Sequence, residues 1–264
     1  MLALKSVKQS YSPSKDILCL LREFRQMTNA AIEIGLAHEV STLKRLCNLA
    51  YNQLKRYRVP SCYKLCAISR AAGILASRKK SLRRGIRTKE PYALKPHLTC
   101  CYRFKITKGG SLRIPLGDKR FEEIPLNNHT LLTLSDPSLR IRSFTLTEKS
   151  VSLCISKDVD EKDCVGVVGV DRNLRNLTCG NENEVVHYNM SKAVRIAKKT
   201  RAIVSSFKRC DVRIRRRIAS KYGRRSRDRI IYLLHCTTKQ IVERASQNGE
   251  ALVLEDIRGI RRLY

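Results

Sequence analysis

The stretch 165–180 reads VGVVGVDRNLRNLTCG, and the stretch 251–261 reads ALVLEDIRGIR. In each, an unbroken run of β-branched and small apolar residues ends in an acid: 165–170 leads into Asp171, and 251–254 leads into Glu255. Such runs read as strands buried on both faces. A carboxylate at the end of such a strand sits at the lip of a sheet, and two such strands side by side bring their acids together. Like charges that close repel, and each pKa rises unless something compensates. A divalent cation is the usual compensation, and Mg²⁺ is held through one or two carboxylates while it keeps several waters. Taken singly, either acid is also an ordinary turn residue. The repeat of strand and acid, with a long basic helical region between, makes Asp171 and Glu255 candidate metal ligands.

That basic region is the second signal. Residues 195–229 hold fifteen Lys or Arg and two acids, Asp211 and Asp228. The densest cluster is Arg213, Arg215, Arg216 and Arg217, followed by Lys221, Arg224, Arg225 and Arg227. Successive arginines do not share one helical face, so this is no simple amphipathic stripe. Guanidinium forks match phosphates bidentately, and repulsion among so many cations is costly without a polyanion. These eight residues are therefore candidate nucleic-acid contacts, made to the backbone and hence salt-dependent rather than sequence-reading.

The whole chain carries the same bias. Its 264 residues hold 54 Lys and Arg against 23 Asp and Glu, a formal charge of +31, which implies a polyanionic partner. Apolar residues make up 42%, enough for a core, and no apolar run approaches the ~20 residues that span a bilayer. The start, MLALKSVKQS, lacks the apolar segment of a signal peptide. A cytoplasmic, nucleoid-associated protein is expected, with no membrane and no small-molecule substrate. The eleven cysteines are scattered and read as reduced, small core residues. Cys62-x₃-Cys66 with His97 and Cys100 departs from the C-x₂-C knuckle of structural zinc, and the five His show no metal-ligand spacing. With no Trp and 6% aromatics, base stacking is not the expected main binding mode, although Tyr102, Phe104 and Tyr222 are present. No P-loop, Ser–His–Asp order or helix-turn-helix signature occurs.

In chain order, 2–11 reads as a first strand, and Ser12-Pro13-Ser14 breaks it. Helical periodicity starts at Asp16, through Ile17, Leu20, Leu21, Phe24, Met27, Ala31 and Ile34. A second helix follows Ser41 as N-cap, and a third starts at Ser61 and carries Arg78, Lys79, Lys80, Arg83, Arg84 and Arg87 towards its far end. Hairpins are predicted for 102–107 with 111–116 and for 140–146 with 151–156. Several short strands with turn signals suggest a small barrel or sandwich, and two independent small domains are the alternative. The acidic segment 158–163 reads as a linker. Beyond it come strands at 174–179 and 184–188, a helix capped by Ser191 and ended by Gly223, and another capped by Ser226 with Ile230, Leu234, Thr237, Ile241 and Ala245 inward.

GVDRNLRN followed, 84 residues after its acid, by the Glu of LEDIRGIR resembles the TnpB (OrfB) proteins of insertion sequences, transposon-encoded RNA-guided nucleases (putative transposases) with a RuvC-type domain. The segment RIRRRIASKYGRRSRDRIIYLLHCTTKQIVERA between the two motifs is similar as well. The likeness is strong from about 165 to the end and only architectural before that. It implies a mixed α and β fold: a β-barrel (wedge) over 1–15 and 91–160, a helical recognition insertion over 16–90, and the N-terminal part of an RNase H-like (RuvC) α/β nuclease domain over 165–264, with the returning strand parallel to the first. It implies that Asp171 and Glu255 are catalytic acids that bind Mg²⁺ for hydrolysis of DNA phosphodiesters, with guide RNA and target DNA as partners. Asn173 stands where many members have Gly, which bears on the turn and leaves the acid.

The family continues past the second acid with a zinc ribbon and a third catalytic Asp, and neither occurs up to Tyr264. The expectation is a C-terminally truncated TnpB-like chain, incomplete in its RuvC domain, without a zinc site and inactive as an endonuclease by itself. The alternatives are a nuclease-dead RNA- or DNA-binding regulator and a generic basic RNA-binding protein.

Overall fold

The alternating residues SVSLCISKD form β7 (Ser150–Asp158), a central strand with the N-terminal strand β1 (Leu2–Ser10) antiparallel on one side and β6 (Arg140–Leu146) antiparallel on the other. A computed structural model describes residues 1–207 and 212–256, the side chain of Arg215 excepted. Cys210, Arg215's guanidinium and the segment 257–261 thus lie outside the described residues. The described chain forms two compact units, Met1–Asp160 and a second beginning at Glu161.

In the first unit β2 (Leu98–Cys100) completes a sheet of order β1-β7-β6-β2. A second sheet, β3-β4-β5, is built from β3 (Lys105–Ile106), β4 (Ser111–Gly117) and β5 (Arg120–Pro125). The expected closed barrel is not formed: both sheets are open, and no ladder joins β2 to β3. Cys101, Tyr102 and Arg103 separate those two strands, and Arg103 has a φ of 55°, a left-handed value that interrupts an extended chain. What stands is a mixed α and β architecture with several antiparallel sheets.

Between β1 and β2 come three helices. In α1 (Lys15–Ala37) the Ser14 hydroxyl accepts from the Ile17 N–H, and Ile17, Leu20, Leu21, Phe24, Met27 and Ala31 are buried. Thr42, not Ser41, precedes α2 (Leu43–Ala50). A short 3₁₀ helix, Gln53–Arg56, leads to α3 (Ser61–Arg83), which Pro60 precedes as N-cap residue. Gly35 lets α1, α3 and the following turn meet closely, because a Cβ there would lie 2.9 Å from the Val40 carbonyl oxygen and against Leu75. Helices and sheets share one core, centred on Tyr63, Phe24, Phe144, Leu98 and Leu112, all fully buried. The Tyr63 hydroxyl donates to the Pro115 carbonyl at 2.9 Å and pins α3 to β4. Gln9 bridges both sheets: its amide donates to the Pro125 carbonyl and its carbonyl accepts from the Asn127 N–H.

Two elements escape the sequence pattern. The β4–β5 turn places Asp118 and Lys119 at φ 48° and 60°, the type I′ geometry that usually selects Asn-Gly. After it, α4 (Asn128–Leu134) is capped by Asn127, which accepts from Thr130.

The second unit holds β8 (Gly166–Arg172), β9 (Asn176–Gly180), β10 (Val185–Asn189), α5 (Ser191–Ser205), α6 (Val212–Gln247) and β11 (Glu250–Leu254). Sheet order is β10-β9-β8-β11, with two antiparallel hairpins and β11 parallel to β8. The expected helix boundary at Gly223 and Ser226 does not exist, since α6 runs unbroken through both. An interior glycine costs about 1 kcal/mol against alanine and stops a helix only where the backbone turns left-handed. Positive φ occurs here at Gly249 instead, where α6 gives way to β11. Ser226 is buried rather than capping, and Ser191 is the first helical residue, after Met190. Of the expected inward residues, Ile241 and Ala245 are buried, whereas Leu234 is 40% exposed.

Candidate metal and nucleic-acid site

The site begins with strand register. Val170 pairs with Leu254 across the parallel β8–β11 ladder, and the next residues are Asp171 and Glu255. Both acids are exposed and stand at the carboxyl end of adjacent strands. Val168, Val170 and Cys179 form a small core with Ile241 of α6. Side chains alternate along a strand, so Asp171 belongs to the opposite face from Val170. Arg172 closes the ends of the two strands by donating from Nη2 to the Glu255 carbonyl oxygen at 2.9 Å. Asn173 donates from Nδ2 to Asp171 Oδ2 at 2.7 Å, while its N–H donates to the Asn176 carbonyl at 3.0 Å. The asparagine therefore shapes the turn and orients the acid at once.

The same register brings in two residues that spacing along the chain did not single out. Asp171 is opposite Thr178 on β9, and Thr178 is opposite His187 on β10. Directly opposite residues share a face, so Asp171, Thr178 and His187 form one row across the sheet. Thr178 Oγ1 and His187 Nδ1 are hydrogen-bonded at 3.1 Å. Two strand spacings put His187 about 10 Å from Asp171. Finding this row from sequence required the registers of two hairpins, not a motif.

Can Asp171 and Glu255 hold the expected ion? Two carboxylates at neighbouring strand ends are hard oxygen donors, and Mg²⁺ is commonly held by such a pair completed by water and substrate phosphate. Among the described residues no group of three or more His, Cys, Asp or Glu is arranged for metal binding. In chemistry the pair, two hard carboxylates, is a partial ligand set of the kind that Mg²⁺ takes.

The basic residues occupy α6 relative to this end of the sheet. Arg244 forms an ion pair with Glu184 at the start of β10, and Thr237 meets Met190, just past its end. Within two turns, then, α6 traverses the sheet against the direction of β11. Thirty-six residues make a helix about 54 Å long, whereas five strand residues cover about 17 Å. The N-terminal half of α6 consequently projects past the end of the sheet where Asp171 and Glu255 lie. Arg213, Arg216, Arg217, Lys221, Arg224, Arg225 and Arg227 are exposed on it. Among the described residues none of them is in a salt bridge. In the first unit Lys79, Lys80, Arg83, Arg84 and Arg87 are exposed at and beyond the end of α3.

Among the described residues no helix is long and apolar enough to cross a membrane. No protein-family model matches the chain, and no curated protein matches it either.

Proposed function

We propose that this chain is a TnpB-like, transposon-encoded nucleic-acid-binding protein that grips guide RNA and target DNA through phosphate contacts. In this reading the second unit is an RNase H-like domain and the first unit is the wedge with its recognition helices. Asp171 and Glu255 hold Mg²⁺. Bound there, the ion would polarise a phosphodiester oxygen and lower the pKa of a water. The protein's own part is to fix the two carboxylates at adjacent strand ends, to orient Asp171 through Asn173, and to hold the nucleic-acid backbone on α6.

The observation that carries the reading is the shared end of the sheet: the acid pair and the projecting arginine-rich half of α6 lie at the same edge. The test is binding of a structured RNA by the purified chain at graded salt, with and without Mg²⁺. Salt-steep binding that Mg²⁺ strengthens in the wild type, and leaves unchanged in Asp171→Ala, supports it. Equal binding with and without the ion sinks the metal half of the proposal, and salt-independent binding sinks the phosphate half.

A second reading, a regulator that binds without cutting, is favoured by the number of acids: the site is a pair among the described residues. Incubation of the 264-residue chain with RNA, matching DNA and Mg²⁺ separates the two. Guide-programmed cleavage excludes the regulator reading.

A further inference from the structure

The row Asp171–Thr178–His187 contains a short polar relay. Asn176 donates from Nδ2 to Thr178 Oγ1 at 3.3 Å, and Thr178 Oγ1 is hydrogen-bonded to His187 Nδ1 at 3.1 Å. Asn176 and Thr178 are two apart on β9, and His187 is directly opposite Thr178, so all three share the face turned away from α6. The buried neighbour of Thr178 is Cys179, which packs with Val168, Val170 and Ile241 on the other side. Cys62, Cys100 and Cys179 are buried, whereas Cys19, Cys101, Cys164 and Cys236 are exposed, so the core role expected of the cysteines is not general.

The relay bears on the imidazole. A neutral histidine has one donor and one acceptor nitrogen, and the partner of the first decides the role of the second. Thr178 accepts from Asn176, and with its own proton turned to Nδ1 every polar group of the relay is used. The imidazole hydrogen is then on Nε2, which has no hydrogen-bond partner among the described residues, and His187 is exposed. The surroundings suit an anion. Residues 176, 178 and 180 of β9 and 185, 187 and 189 of β10 belong to this face, and none is acidic. Glu184 is instead paired with Arg244 of α6. The floor beside the row is low as well. Gly169 is opposite Gly180, and a Cβ at Gly169 would meet nothing closer than the Gly180 carbonyl oxygen at 3.7 Å. Neither packing nor a positive φ calls for glycine at 169. A bare strand position under open space is one where another backbone can approach closely.

We propose that His187 is a phosphate contact of this site: its Nε2–H donates to a non-bridging oxygen of a phosphodiester neighbouring the one held at Asp171 and Glu255. Thr178 and Asn176 are the positioning residues that keep the donor on Nε2. The inference rests on the reading of the acid pair as a Mg²⁺ site for nucleic acid. It adds a direction to that reading: the strand leaves the acid pair across β8 and β9 towards β10, beside the low floor of Gly169 and Gly180. The ligand chemistry is a phosphodiester backbone, which RNA and DNA share.

The test is a long-range proton–nitrogen correlation spectrum of the full chain with isotope-labelled histidine, at mildly alkaline pH where imidazoles are neutral, in Mg²⁺. The probes are single-stranded oligouridylate and oligothymidylate, and the His187 signals are identified by their loss in His187→Gln. The Nε2–H tautomer is expected in the free protein, and Thr178→Val should turn it into a mixture. Added oligonucleotide should shift the Nε2 signal. A response to oligouridylate assigns the contact to RNA, and a response to oligothymidylate alone assigns it to DNA. His187→Ala should weaken binding by about tenfold, the scale of a hydrogen bond to a charged group, and His187→Gln, which keeps an N–H donor, should recover part of the loss. An Nδ1–H tautomer in the free wild type, or His187 signals unmoved by an oligonucleotide that binds, would overturn the proposal whether or not the variants fold. Mn²⁺ binding measured alongside tells the failures apart. With cation and oligonucleotide bound and His187 unmoved, this contact alone is wrong; with either of them unbound, the reading beneath it falls too.

Discussion

Val170 and Leu254 are the last ladder partners of the parallel pair β8–β11, and each is followed by an acid. A slip of one residue would move every side chain of β11 to the other face. Asp171 and Glu255 are level because the apolar runs before them are level.

The hydrogen bond from Asn173 to Asp171 makes a separable contribution. Asn173→Ala removes the donor that orients the carboxylate while leaving both acids in place. Outer partners of metal ligands commonly contribute about tenfold or more in affinity. Divalent-cation affinity, followed by titration calorimetry, should fall by about tenfold. Folding stability should change by less than about 0.5 kcal/mol, as for other surface substitutions. Undiminished cation affinity would show that Asn173 only shapes the turn.

The role of α6 is read from salt dependence rather than affinity alone. Each phosphate contact contributes about 0.7–0.9 to the slope of log K against log salt. Replacing Arg213, Arg216 and Arg217 together by Gln should lower that slope by about 2 for RNA, and it should weaken binding to unrelated sequences equally. The same replacement made at exposed Lys5 and Lys8 of β1 should leave it nearly unchanged. Equal effects from both sets would reduce α6 to one part of a diffuse positive field.

Tyr63 tests the joint between helix and sheet. Its hydroxyl is buried and donates to the Pro115 carbonyl oxygen, and burial pushes its own pKa upward. Tyr63→Phe keeps the ring and leaves that carbonyl without its donor, a loss of about 1–3 kcal/mol. Denaturant unfolding should show the midpoint falling at an unchanged m-value.

Asp136 sets a pH dependence. Hydrogen bonds from the Ser138 hydroxyl and N–H, with Lys157 alongside, lower it from its ordinary 3.8 to about 2. A carboxyl lowered on folding contributes stability above its unfolded pKa and loses it as pH falls through the folded value. Its contribution should be full above about pH 4 and fade towards pH 2. Unfolding midpoints of wild type and Asp136→Asn should therefore differ at pH 5 and converge near pH 2.

Much of this was legible in the residues because period and burial agreed. The helices α1 and α3 have apolar positions at three and four residues. The hairpin β6–β7 has clean alternation around a short turn. The runs before Asp171 and Glu255 are strands, as read, but not strands buried on both faces: β8 buries Val168 and Val170 alone, and Leu252, Val253 and Leu254 of β11 are exposed. Other features depended on terms that patterning does not carry. The β4–β5 turn uses Asp118 and Lys119 where glycine is the usual signal. Gly223 resembled a helix stop but sits in a helix long enough to absorb its cost. The sheets of the first unit are open, and Arg103 interrupts the extended chain between β2 and β3. His187 and Thr178 joined the acid's row only through strand pairing.

The most direct test of the central claim is Mn²⁺ binding, with Mn²⁺ as a spectroscopic stand-in for Mg²⁺, followed by electron paramagnetic resonance in the wild type, Asp171→Ala and Glu255→Ala. One saturable site is expected in the wild type, weakened about tenfold or more by either substitution and emptied of Mn²⁺ by Mg²⁺. Manganese binding that is the same in all three proteins would contradict it.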